Sequence, residues 1–124
     1  MPRRPQRDDR GQATVELALV FPVILLLLLL LIQVGFVVRA HILTTHAARE
    51  GARVAAVGED PMAAAVASSG LDPRRMDVER SGGDAPGETV TITIEYDAPT
   101  DVPIVGRLLD DVEVRAEATM RIEG

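Results

Sequence analysis

The sequence predicts an α+β protein in which one long N-terminal transmembrane helix continues outside the membrane and packs on a small antiparallel sheet of about three strands. Three observations carry this expectation. Leu17 to Val38 is an uncharged run of 22 residues interrupted only by Pro22, Gln33 and Gly35. At about 1.5 Å per helical residue it extends roughly 33 Å, enough for the roughly 30 Å hydrocarbon core of a bilayer. Ala40 to Val57, which follows, has no proline and is rich in alanine, the strongest helix former. The C-terminal third then switches to a period of two, the pattern of half-buried antiparallel strands.

The leader, residues 1–11, sets Arg3, Arg4, Arg7 and Arg10 against Asp8 and Asp9, with Pro2 and Pro5 disfavouring a helix. Basic residues before a span tend to stay cytoplasmic, so the expected orientation in the plasma (inner) membrane is N-terminus inside and C-terminal domain outside. Arg39, Arg49 and Arg53 on the far side reduce that asymmetry. Arg3-Arg4 lacks the residues that would complete a twin-arginine signal. A cleaved secretory signal has an apolar region of about 7–15 residues and a small-residue site; this run is longer and Val38-Arg39-Ala40 is a poor site, so the span is expected to be retained.

The helix is expected over residues 12–57, about 69 Å in all, with residues 17–38 in the membrane and a stop at Gly58. Gly51 inside it costs about 1 kcal/mol against alanine and calls for a reason. Ala47, Gly51 and Ala55, with Ala48, Ala52 and Ala56, recur at four-residue spacing. They form either the plain surface of an alanine-rich helix or a smooth face on which a neighbouring helix packs closely. On the second reading Ala48, Gly51, Ala52 and Ala55 are the candidate packing positions.

Residues 58–124 form the expected small extracytoplasmic domain. Asp60 is placed to cap a short helix with Pro61 at its first position, running through Ala67 or Ser68 and ending near Gly70. Asp72-Pro73 opens a turn. Arg75 to Arg80 reads as a weak strand with Met76 and Val78 inward, and Ser81 to Gly87 as a loop. Thr89 to Tyr96 turns Val90, Ile92, Ile94 and Tyr96 to one face; Val112 to Glu123 does so with Val112, Val114, Ala116, Ala118, Met120 and Ile122. Between them Pro99 and Pro103 break structure, while Ile104, Val105, Leu108 and Leu109 could line one face of a helical turn. The apolar sheet face needs a cover, expected from the helix through Ile42, Leu43, Val54 and Val57. A domain this small is marginal alone, so its stability should depend on that helix, with neighbouring subunits as a further source of support.

Composition excludes several functions. The net charge is −6, and from Ala40 onward 16 acids face 8 arginines, a balance that repels nucleic acid. The three aromatics, Phe21, Phe36 and Tyr96, give bases no stacking platform. Without cysteine there is no disulfide, thiolate metal site or cysteine nucleophile. His41 and His46 are five apart and outside any H-E-x-x-H pattern, and Ser68-Ser69 lacks a G-x-S-x-G context. No enzyme, cofactor or metal is expected, and Asp110-Asp111 reads as solvated loop charge. Glu16, at the mouth of the span, stays open on the residues alone. A carboxylate at the lipid boundary is costly and tends to be functional, yet a helix N-terminus at headgroup level also favours an acid.

Gly11-Gln12-Ala13-Thr14-Val15-Glu16, placed where basic sequence gives way to apolar sequence, resembles the G-x-x-x-x-E processing site of type IV prepilins. The longer string from Arg10 to Pro22, with Ala47-Ala48-Arg49-Glu50-Gly51-Ala52-Arg53-Val54-Ala55, resembles the TadE-like family of pseudopilins. The resemblance covers residues 10–57 and implies a pilin-like fold. It also implies cleavage between Gly11 and Gln12 by prepilin peptidase, an intramembrane aspartic protease. The new chain would start at Gln12, whose amine is then a methylation target. It further implies that Glu16 neutralises the N-terminal amine of a neighbouring subunit during assembly of a tight-adherence (Flp) pilus or related secretion system. Expected partners are the peptidase, other pilins and pseudopilins, the assembly platform and the lipid bilayer. The alternative is an uncleaved single-pass anchor presenting a small binding module.

Overall fold

The computed structural model describes residues 9–124; the expectation of a non-helical leader lies mostly outside the described residues. Helix α1 spans Asp9–Ala55 and continues through Pro22. Its 47 residues make it about 70 Å long. It starts three residues earlier than the sequence predicts, so Gly11 and Gln12 are both helical. At its far end Gly58 takes a φ of 82°, a left-handed conformation that glycine adopts without a Cβ clash. The Glu59 N–H then donates to the Val54 carbonyl at 2.9 Å, closing the helix, which ends at Ala55, two residues before the expected Val57.

The next elements are short. The Asp60 side chain accepts from the Met62 N–H at 3.0 Å, opening α2, Pro61–Ser69, which ends at left-handed Gly70. Asp72 caps a single 3-10 turn over Pro73–Arg75 in the same way. Strands β1 (Met76–Gly82), β2 (Thr89–Ala98) and β3 (Val112–Arg121) form an antiparallel meander with β2 central. Register pairs Val78 with Ile94, and Ile94 with Ala116. The first strand runs two residues further than predicted, because Ser81 and Gly82 pair with Thr91 and Val90. A one-turn helix α3, Val105–Leu108, lies between β2 and β3.

The inward set is the predicted one on β2: Val90, Ile92 and Ile94 are fully buried and Tyr96 nearly so. Each such aliphatic side chain contributes about 1.5–3 kcal/mol on leaving water. Val114 and Ala116 join them from β3, Ile122 from just beyond its end, and Met76 from β1. The cover is the distal half of α1, as expected, with Val54 buried as predicted but mostly through small residues. Ala47, Ala48, Gly51, Ala52, Val54 and Ala55 are buried, whereas Ile42 and Val57 are exposed and Leu43 is only partly buried. Small side chains let the helix approach the sheet closely; Ile42 and Val57 would hold it away. The chain's end closes on the same helix, with the Glu123 N–H donating to Ala56 O at 3.4 Å.

The α3 turn also differs from expectation. Of its four predicted face residues only Val105 is buried; Ile104, Leu108 and Leu109 point out. Ile104 sits at φ 70°, ψ −53°, and the Val105 N–H donates to Pro103 O at 2.8 Å across it. This is the rare γ-turn with positive φ, unusual for a β-branched residue. The turn rotates Ile104 away from Val105 and splits the apolar set.

Candidate functional site

Two places on α1 carry the residues singled out by the sequence, and a third emerges only in three dimensions. At the N-terminal end, residues 11–28 are all exposed. Gly11 and Gln12 lie near the described start of α1. The Thr14 hydroxyl donates to the Arg10 carbonyl at 2.9 Å. One helical turn after Gln12 comes Glu16, whose Oε1 accepts from Gln12 Nε2 at 3.5 Å. The carboxylate and the backbone nitrogen of Gln12 therefore stand at i, i+4 positions, which share a helix face. A positive charge created at Gln12 would lie one turn from the Glu16 carboxylate.

Ala48, Gly51, Ala52 and Ala55 form a continuous buried strip in the distal half. The sequence offers a plain surface or a face for a neighbouring helix; in the structure the strip meets β2 and the start of α2 of the same chain. A Cβ on Gly51 would meet Ile92 Cγ2 at 3.3 Å and the Pro61 carbonyl oxygen at 3.4 Å. Gly51 thus lies where β2 and the start of α2 both press on α1, and that close approach is the reason for a glycine. Arg53 and Glu50 pair on the exposed side of this turn, and the Arg53 guanidinium draws the Glu50 carboxyl below its ordinary value.

The third place is a polar seam along the lower flank of the domain. Gln33, the one amide in the apolar run, is 3% exposed. Its Nε2 donates to Thr100 Oγ1 at 3.4 Å, and its Oε1 is buried without a partner among the described residues. Thr100 Oγ1 donates to Asp110 O at 3.1 Å, and the Thr100 N–H to Asp111 Oδ1 at 3.1 Å. Asp111 Oδ2 pairs with Arg75 at 2.9 Å. The Thr100 N–H first, and then Arg75, hold the Asp111 carboxyl below its usual range, and Asp111 raises Arg75 in turn. Asp110 and Asp111 are both exposed, as expected, but Asp111 also ties the β2–β3 loop to the turn before β1. Its signal in the sequence was an isolated amide in an apolar run, with no way to locate the partner. Above the seam, Phe36, Arg39, Ala40, Tyr96 and Pro99 line a groove of about 260 Å³. His41 and His46 are exposed, and among the described residues no three His, Asp or Glu side chains group as metal ligands.

Fold and junction define a class: a small α+β domain carried on the distal half of one N-terminal helix whose free half is long and apolar enough to cross a membrane. Within that class, residues 11–53 match the family model for TadE-like protein. The match agrees with the resemblance read from the sequence. It begins at Gly11, includes Gln12, Glu16, Ala48, Gly51 and Ala52, and stops two residues before Ala55. It covers about a third of the chain. No curated protein and no solved structure matches.

Proposed function

We propose that the chain is a minor pilin or pseudopilin of a tight-adherence (Flp) pilus or related secretion system, with no catalytic role of its own. Prepilin peptidase cuts it between Gly11 and Gln12 on the cytoplasmic side, and the cleaved product joins other pilins through its N-terminal helix. The observation that carries the reading is the Gly11 to Glu16 spacing at the start of an exposed apolar helix, at the first residue of the family match. The cut bond lies in a helical turn, so the peptidase must unwind it. The site favours this, because glycine in a helix costs about 1 kcal/mol against alanine. After the cut, the Gln12 amine and the Glu16 carboxylate provide opposite charges in a poorly hydrated setting. There an unpaired charge is costly and pairing with a neighbouring subunit is favoured.

Co-expression with a prepilin peptidase, followed by N-terminal sequencing of the membrane-extracted protein, tests the cut: the sequence should begin at Gln12. Gly11→Ala should leave the chain at full length, and normal processing of that variant would contradict the proposal. Glu16→Gln should be cleaved but recovered less in sheared pili. A second reading, the uncleaved anchor, draws on the acid excess of residues 40–124, which suits a cationic partner. An intact Met1 in mature protein, with no association with filaments, would decide for it.

A further inference from the structure

Separately from processing, we propose that the α3 loop, residues 99–109, is seated in the outer headgroup–acyl boundary of the bilayer, with Ile104, Leu108 and Leu109 in contact with lipid. The proposal rests on the apolar half of α1 spanning the membrane and is independent of cleavage.

Depth is the first argument. Arg39 is the first charge after the apolar run and is exposed; a long basic side chain there keeps its head in the polar zone. Gln33 lies six residues closer to the membrane centre, about 9 Å along the helix axis. The loop bonded to Gln33 through Thr100 therefore stands below the level of Arg39, at the 5–10 Å depth typical of interfacial apolar elements. The second argument is surface. Ile104, Leu108 and Leu109 are 51%, 73% and 46% exposed, beside an α1 stretch whose Ile32, Val34 and Phe36 are exposed too. The loop thus continues the apolar surface of the span instead of interrupting it.

The third argument is the backbone. Irregular chain at membrane depth must satisfy its own polar groups. Here the N–H groups of Val105, Gly106, Arg107 and Leu109 donate to Pro103, Val102, Ile104 and Val105 carbonyls, and that of Thr100 to Asp111. The fourth is charge. Arg107 is exposed at the loop tip and joins none of the ion pairs among the described residues, a disposition suited to a lipid phosphate. The acids Asp101 and Asp110 flank the tip in sequence and are exposed. The γ-turn at Ile104 completes the arrangement by turning that side chain outward while Val105 stays in the core.

The chain has no cysteine, so single sites can be labelled in the full-length protein. Leu108→Cys, Glu117→Cys on the exposed face of β3 and Leu27→Cys in the span would each carry a nitrobenzoxadiazole label in phosphatidylcholine–phosphatidylglycerol vesicles. Aqueous iodide should quench the Leu108 site several-fold less than the Glu117 site, and nitroxides near the headgroup should quench it more than deep ones. A Leu108 label as open to iodide as the Glu117 label, with Leu27 shielded, overturns the loop proposal and leaves the span standing. If Leu27 is open as well, the span and the loop reading fall together. Shielding of Leu108 that disappears as protein is diluted in lipid assigns the loop to subunit contact and also overturns the proposal.

Discussion

Gly51 shows how one missing side chain sets a packing distance. A Cβ there would sit 3.3 Å from Ile92 Cγ2 and 3.4 Å from the Pro61 carbonyl, tight enough that neighbours must shift slightly. Gly51→Ala trades that shift against about 1 kcal/mol of helix propensity and should be close to neutral. Gly51→Leu has no such offset and should destabilise by about 1–3 kcal/mol through overpacking, read from urea midpoints of the detergent-solubilised protein. Asp111 makes a second residue-scale case. Its carboxyl is held low by the Thr100 N–H and by Arg75. Its contribution is thus complete above the unfolded value of about 3.9 and fades as pH falls through the lower folded value. Glu50 and Asp72 are lowered too, so the pH profile of the native protein alone is ambiguous. Asp111→Asn isolates the effect: it should lower the denaturation midpoint at neutral pH, and the gap from wild type should close on acidification. A gap that persists at the acid end would mean that the charge is not what matters.

At the scale of elements, α1 serves three environments in succession. Its first half is exposed and apolar, Gln33 to Leu43 is partly covered, and Thr44 to Ala55 is core. The change of residue type tracks this: leucine and isoleucine make up the exposed apolar half, then alanine and glycine face a sheet. Hydropathy made the first change legible in the sequence, and four-residue spacing made the packing strip legible. What covers the strip was not readable, because a small-residue face accepts a helix or a sheet equally well. The α3 loop shows the opposite case. Its apolar residues read as one helical face, but the positive φ at Ile104 is invisible in a list of side chains. That strain costs of the order of 1–3 kcal/mol. Ile104→Gly should therefore leave the thermal midpoint unchanged or higher while reducing the lipid shielding of the loop. A clear drop in stability would show that Ile104 belongs to the core.

For the molecule as a whole, the folded unit is residues 33–124. No residue from Asp9 to Ile32 is fully buried, and the buried set begins at Gln33. A chain truncated to start at Gln33 should keep a cooperative urea transition and mixed helix–strand circular dichroism. One that starts at Gly58 should lose both, since it discards the cover of Val90, Ile92 and Ile94 and is of a size at which domains are marginal alone. Retention of structure without α1 would refute the dependence on that helix. The arrangement also means that the apolar run is shared: its last residues, from Gln33 on, already belong partly to the domain.

The sequence by itself determined the long helix, the three strands with the inward residues of β2, and the caps at Asp60 and Gly58. These depend on local periodicity and on backbone preferences, which act between residues a few positions apart. Only the tertiary structure decided which helix face meets the sheet, what lies on Gly51, and that Gln33 reaches Thr100 across 67 positions of chain. Those outcomes depend on how closely two surfaces can approach and on which polar group finds a partner once water is excluded. Neither is specified until the elements are brought together.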